Sequence, residues 1–294
     1  LVARSIDRKS AVLRTLQVAV FPLLLPILSL LYTDALSLGL VLIALWMVLE
    51  KRSYVSALFL TLAVLVRQNN VLWAPVFLGI ALEWKFGKRI SFRPRKTLSR
   101  SLPFVIPVLV FLFFLLINHG LTVNYSALHP TGFFPGNIFF ALALFTGIFL
   151  PFIIGNLGRI TKFVRAHRSV LLLLFLFLLL FLSTFTVTHP FNQDPQYWRN
   201  WVLLAVAHEW LPLVIFALSM VLALLTMTVT RFSVPGAWLL YPSSLLYLGA
   251  SWLIDARYAL IPLVLFLLLR EKRSWKEEVW QYVWFILVGM WVFA

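Results

Sequence analysis

The chain has 294 residues, 62% of them apolar and 12% charged, with a net charge of +15, no cysteine and a mean hydropathy of +0.96. Soluble domains hold about 45–50% apolar residues, so this composition excludes a soluble globular protein, and the missing cysteines exclude disulfide and thiolate chemistry. The basic excess does not mark a nucleic-acid binder, because the aromatic residues lie within apolar runs rather than among the basic ones; basic loops are what a membrane protein carries on its cytoplasmic side.

Runs such as SVLLLLFLFLLLFLSTF (169–185) read as bilayer-spanning helices, and their continuous rather than alternating apolarity excludes a β-barrel. The expected class is an all-α polytopic membrane protein of about ten to eleven spans in one transmembrane domain, without internal repeats. In chain order the spans fall at 15–33, 35–49, 53–66, 71–84, 101–118, 136–158, 169–187, 210–230, 234–253, 258–269 and 279–294. The opening LVARSIDRKS lacks the apolar core of a signal peptide. Fourteen residues make about 21 Å of helix against a hydrocarbon core of about 30 Å, so the joints at Asp34 and at Arg67–Asn70 are expected below the membrane surface. Irregular polar backbone at that depth is tolerated only beside protein or a wet cavity.

With residues 1–14 on the cytoplasmic side, alternation puts 22 of the 25 Lys and Arg residues there and leaves Arg67, Arg199 and Arg257 outside. Reading 53–84 as one long span reverses everything downstream and faces the seven-charge loop 85–100 outward, so it is set aside. The outer side then gathers LYTDALS (31–37), RQNN (67–70), NHGLTVNYSALHPTGFFPGN (118–137), THPFNQDPQYWRN (188–200) and LIDARYALIP (253–262). Ionisable groups at membrane depth cost about 2.5–3.5 kcal/mol each on insertion scales and mark functional sites.

The chemistry of this set is specific. Arg offers a planar fork for phosphate oxygens. Asn and Gln bond sugar hydroxyls, and a carboxylate or His takes a proton from an attacking hydroxyl. Bland roles exist for each: Asp34 as a helix N-cap, Asp255 with Arg257 as a local ion pair, Tyr197 with Trp198 and Trp201 as interfacial anchors. The histidines lack metal-ligand spacing, so neither metal nor cofactor is expected. A lipid-phosphate-sugar donor is the substrate class that uses all these groups.

At this point the motifs carry a resemblance. Tyr32, Thr33, Asp34 and Ser37, followed by Arg67, Gln68, Asn70 and Trp73, resemble the dolichyl-phosphate-glucose-dependent α-1,2-glucosyltransferase family, of the GT-C class of polytopic glycosyltransferases. Asn69 stands where that family has Thr. NHGLTVNYSALHP, ending at His129, is similar to a lumenal segment of the family, though Val123, Asn124, Tyr125 and Ser126 replace its acid and base. HPFNQDPQYWRNW, with His189, Asp194, Tyr197 and Arg199, and IDARYALIP, with Asp255 and Arg257, are similar to two later segments. The resemblance covers residues 10–270.

It implies a multi-pass protein of the endoplasmic reticulum membrane with a lumenal active face. The implied reaction moves glucose, with inversion, from dolichyl-phosphate-glucose to a lipid-linked oligosaccharide in protein N-glycosylation. Asp34 and Asp194 are the expected catalytic carboxylates. Arg67, Gln68, Asn70, Trp73, His129, His189, Tyr197, Arg199, Asp255 and Arg257 are expected to bind substrate, with the donor phosphate on Arg67 or Arg257. The resemblance also implies that the chain lacks a first helix and a first lumenal loop bearing the principal base. The competing reading is a transporter or flippase of a polyprenyl-linked or amphiphilic solute, which calls for polar residues on both sides of the midplane.

Overall fold

A computed structural model of the chain describes residues 1–29, 32–87, 94–118, 130 and 132–293. The apolar runs become helices because, in hydrocarbon, a helix pairs its backbone N–H and C=O groups within its own segment. In chain order these are α1 (Val2–Ile6), α2 (Ala11–Ala19), α3 (Leu24–Ser29), α4 (Thr33–Leu49), α5 (Ser53–Val66), α6 (Ala74–Ala81), α7 (Pro94–Ser101), α8 (Val105–Asn118), α9 (Gly136–Ile148), α10 (Leu150–Ala166), α11 (Ser169–Thr184), α12 (Trp198–His208), α13 (Trp210–Val229), α14 (Leu240–Gly249), α15 (Leu260–Leu269) and α16 (Trp275–Phe293). Among the described residues no β-strand forms; one isolated bridge joins Phe232 to Arg270. The protein is an all-α polytopic membrane protein.

Several expected spans are broken, each for a local reason. Pro22 cannot donate to a helix ladder, so 15–33 divides into α2 and α3, and Pro26 falls in the first turn of α3, where no donor is needed. The run 136–158 bends by 95° between α9 and α10, where Phe149 fills the joint and Pro151 starts the next turn. The polar Gln68–Trp73 stretch is a 3₁₀ segment between α5 and α6. Among the described residues, two stretches are long and apolar enough to cross a membrane alone, Thr97–Asn118 and Trp210–Val229, or three if the bent pair counts as one; four more are apolar but shorter. Among the described residues, fewer single helices meet the length of a full crossing by themselves than the segmentation has spans. The sequence reading left 198–208 in an outer loop, whereas it forms α12.

Two helices that look alike in sequence end in opposite places. Every residue of α15 is buried, and it is the axis of the bundle. Leucines of α11 such as Leu172, Leu173 and Leu182 are more than half exposed, which fits contact with lipid. Around α15, the rings of Phe145, Phe149 and Phe266 pack with centroids 4.8–5.4 Å apart. Where α6 meets the turn before α14, Gly236 has φ +85° and a Cβ there would overlap the Gly79 carbonyl. The two segments cross backbone to backbone at that point.

The polar groups sort to two ends of the bundle. At one end Arg14 donates to the carbonyls of Leu267, Leu268 and Arg270, closing the C-terminus of α15. Beside it the Arg270 fork meets both Glu278 oxygens at 2.7 and 2.8 Å, with both side chains fully buried. Gln17 also donates to Glu278, and so does the backbone N–H of Arg273. Burial alone would raise the Glu278 carboxyl; the charge and hydrogen bonds of Arg270, the Arg273 N–H and the charge of Arg14 outweigh it and hold the group down at about 2. Arg14, Arg270, Arg273 and Glu278 belong to segments that the sequence reading expects on the cytoplasmic side. The ion pairs of Asp34 and Asp255 gather at the other end.

Candidate functional site

Three segments that are remote in sequence bring the outer polar residues together. The first is the junction of α4 and α5. Asp34, in the first turn of α4, takes a 2.6 Å ion pair from Nη1 of Arg67, the residue that ends α5. Asp34 is 2% exposed, and its Oδ2 has no hydrogen-bond partner. Behind the pair, the fully buried Asn70 donates to Ser37 Oγ at 2.7 Å and to the Ala63 carbonyl at 2.8 Å, and accepts from Trp73 Nε1 at 3.2 Å. This network holds the polar 3₁₀ segment against the start of α4, and the Trp73 ring lies 4.8 Å from that of Tyr247 on α14.

The second segment is the unwound stretch between α14 and α15. Asn137, at the start of α9, donates to the carbonyls of Ser251 and Leu253 and accepts the N–H of Asp255. Asp255 then caps its own turn, its Oδ1 accepting from the Arg257 N–H at 3.1 Å. Its Oδ2 faces two cations, Arg199 Nη1 at 2.7 Å and Arg257 Nε at 3.4 Å. Arg257 lies over the rings of Tyr32 and Tyr258, and Arg67 stands over Tyr258 as well, so Tyr258 links the two charge clusters.

The third segment is 189–200. Asn192 donates to Asn200 Oδ1 and to the Ile254 carbonyl, and accepts the Ile254 N–H. Asn200 donates to the carbonyls of Phe191 and Asp194. These bonds fasten α12 to the unwound stretch before Asp255 and aim Arg199, which also lies over the Tyr197 ring. His189 is buried, its Nδ1 accepting from the Phe191 N–H and its ring 4.7 Å from that of Trp252. Asp194 is exposed and accepts from Gln196 N–H within its own turn.

Tyr32, Tyr197, Arg199, Asp255 and Arg257 form one end of a cavity of about 790 Å³. Its other walls are apolar, from Pro22–Ile27, Phe140 to Ile148 of α9, Phe216 of α13 and Trp284 to Trp291 of α16. From Phe140 to Ile148 the cavity runs about 12 Å along α9.

Of the residues singled out in the sequence, Arg199, Asp255, Arg257 and Tyr197 line this cavity. Arg67 does not: its fork is taken by Asp34. Asn70, Trp73 and His189 are buried behind the wall, and Gln68 is half-buried on the 3₁₀ segment. His129 lies outside the described residues, as do His119 and the Asn124-Tyr125-Ser126 sequon. Sequence reasoning missed Asn137, Asn192, Asn200 and Tyr258, which build the frame. The signal for the asparagines was present, since isolated amides at the ends of apolar runs have no other means of being satisfied.

The described residues form a helical membrane bundle with an apolar cavity that also carries Arg199, Arg257 and Asp255. The chain belongs to the DIE2/ALG10 family, whose model matches residues 2–91 and 85–268. It is similar to a Dol-P-Glc:Glc(2)Man(9)GlcNAc(2)-PP-Dol alpha-1,2-glucosyltransferase of Candida albicans, 23% identical over 184 residues that cover 58% of this chain and 41% of the relative. The match thus spans less than half of the relative's length. No solved structure matches the chain.

Proposed function

We propose that this chain forms the donor-binding membrane core of a glycosyltransferase that moves glucose from dolichyl-phosphate-glucose to a lipid-linked oligosaccharide, with inversion, on the lumenal face of the endoplasmic reticulum membrane in protein N-glycosylation. The observation that carries this reading is the cavity: Arg199 and Arg257 stand at its polar end and the apolar walls of α9, α13 and α16 make up the rest. The arginine forks suit the phosphate, the rings of Tyr32 and Tyr197 suit a sugar, and the apolar length suits the first part of a polyprenyl tail. The similar Candida protein, by its name, uses the same donor.

In this reading the acceptor oxygen attacks the anomeric carbon of glucose and the bond from that carbon to the phosphate oxygen breaks. The electron pair stays on the phosphate, and the acceptor's proton goes to a carboxylate. Asp255 is engaged by two arginines, Asp194 is exposed and bonds within its own turn through Oδ1, and Asp34 pairs with Arg67 through Oδ1 and leaves Oδ2 outside that pair. Asp34, which Tyr258 and Arg67 connect to the Arg257 cluster, is the proposed proton acceptor, oriented by Arg67. Arg199 and Arg257 take up the charge that develops on the departing phosphate.

The test is transfer of labelled glucose from dolichyl-phosphate-glucose to a diglucosylated lipid-linked acceptor in microsomal membranes carrying the protein. Arg199→Gln and Arg257→Gln should each lower transfer about 100-fold or more at unchanged protein level. Movement of the lipid-linked substrate across the membrane without transfer would instead favour the transporter reading. Wild-type transfer by both variants would remove the cavity from the mechanism.

A further inference from the structure

We infer that Asp255 sets the charge of the cavity's polar end so that it accepts a singly charged phosphodiester and turns away the doubly charged monoester. The inference rests on the proposed function and asks what happens after the sugar has left.

Asp255 is a fixed charge. Its N–H is held by Asn137 at 2.9 Å, its Oδ1 accepts the Arg257 N–H at 3.1 Å, and it is 8% exposed. A carboxylate tied in this way cannot swing aside when a ligand arrives. The two arginines are less confined, with side chains 27% and 21% exposed, and they contact only the Oδ2 edge of the carboxylate. Each guanidinium has five N–H donors, so both keep donors free for a second anion.

The charges around the cavity end then add up simply. Arg67 and Asp34 cancel, and Arg199 and Arg257 against Asp255 leave one net positive charge. A lipid phosphodiester carries one negative charge and brings the site to neutrality. Glycosyl transfer converts it into a monoester carrying about −1.5 to −2 at pH 7. Two arginines alone would neutralise that dianion and hold it as a tight product. With Asp255 in place the second negative charge meets only one net positive charge, whose attraction is outweighed by the larger desolvation cost of the dianion. A carboxylate about 5 Å away, at an effective dielectric of about 20, changes affinity by about two orders of magnitude per unit of ligand charge. Asp255 thus acts on specificity and product release rather than on the chemical step.

The test uses citronellyl phosphate and its methyl diester as probes, with the purified chain in nanodiscs at pH 7.5. The unaltered chain should bind the diester at least as tightly as the monoester, despite the monoester's greater charge. Asp255→Asn keeps the turn hydrogen bond and should tighten the monoester at least tenfold relative to the diester, whereas Asp255→Glu should restore the original ratio. An unchanged ratio in a folded Asp255→Asn overturns the inference. Absence of binding by either probe to the unaltered chain overturns the donor-site reading with it.

If Asp255→Asn does not fold, the unaltered chain still decides. Between pH 5 and 7.5 the monoester acquires its second charge and should bind more weakly. The diester acts as control for titration of the surrounding Asp34, Arg67, Tyr32, Tyr197, Tyr258 and His189. Tighter monoester binding at the higher pH, with the diester unchanged, overturns the inference.

Discussion

Asp34 and Arg67 meet at 2.6 Å across the junction of α4 and α5, both at the outer polar end and both withdrawn from solvent, at 3% and 17% side-chain exposure. Breaking a buried pair by removing one member leaves the other uncompensated, at a cost of about 3–5 kcal/mol. Arg67→Ala or Asp34→Asn alone should therefore lower the thermal midpoint of the detergent-solubilised protein markedly. The double variant Asp34→Asn/Arg67→Gln should recover most of that loss without recovering glucose transfer. Recovery of transfer would remove Asp34 from proton transfer, and lack of thermal recovery would show that the pair is not the source of the loss.

Asn70 is the hinge on which the polar 3₁₀ segment hangs. Replacing it with Ala strands the Trp73 N–H and the Ser37 hydroxyl in a dry interior, at about 1–3 kcal/mol per stranded group, and leaves the Ala63 carbonyl with the Arg67 N–H alone. Asn70→Ala should reduce both stability and transfer, whereas Ser37→Ala, which removes a single partner, should cost less. Equal and small losses in thermal scans would mean that the network contributes little.

Glu278 supplies a pH dependence. Its carboxyl lies at about 2 in the folded chain against an ordinary 4.5, so the unfolded chain binds the proton more readily. The stability from this group is present above about pH 4.5 and is lost as the pH falls from there toward 2. Glu278→Gln should destabilise strongly at pH 7, and its deficit relative to the unaltered protein should shrink below pH 4. A deficit that stays constant across that window would contradict the assignment.

At Gly236 the expected outcome is steric. With φ +85° and the Gly79 carbonyl where a side chain would begin, Gly236→Ala should prevent close packing of α6 on the turn before α14 and lower the yield of folded protein. Gly147, with open space around it, is the matched control, and Gly147→Ala should be tolerated. Similar yields from the two variants would remove the crossing from the account.

The chain has no cysteine, so single thiols report its orientation. Lys162→Cys, at an exposed position in the C-terminal half of α10, should react with an impermeant reagent only from the cytoplasmic side. Gln196→Cys, in the exposed turn before α12, should react only from the lumenal side. Labelling of both from one side would overturn the two-ended arrangement.

The class of protein and the gathering of polar residues at one end could be read from hydropathy and from the side to which each basic loop falls. Arg199, Asp255 and Arg257 were recognisable because a charge between apolar runs needs a partner. Which arginine meets which carboxylate was not recognisable. Arg67 is 33 residues from Asp34 and 188 from Asp255, and nothing in local spacing favours one over the other. The fractures in the helices were half-visible: Pro22 announces the first, but the 95° bend at Phe149 depends on ring packing by Phe145, Phe266 and Phe285, which period and composition do not encode. α12 escaped because Arg199, Asn200 and His208 make it too polar for a span, although it serves as the support for Arg199.

The three asparagines that fasten the outer end, Asn137, Asn192 and Asn200, carry no charge, and their bonds run mostly to backbone. Screening ions weaken contacts between charges but leave neutral amide bonds almost untouched. Raising ionic strength should therefore loosen the hold of the arginines on a bound anion while the loops that carry them stay where they are. In the proposed reading grip and frame are separable: salt should release a bound anion reversibly and leave the emptied site assembled for the next occupant.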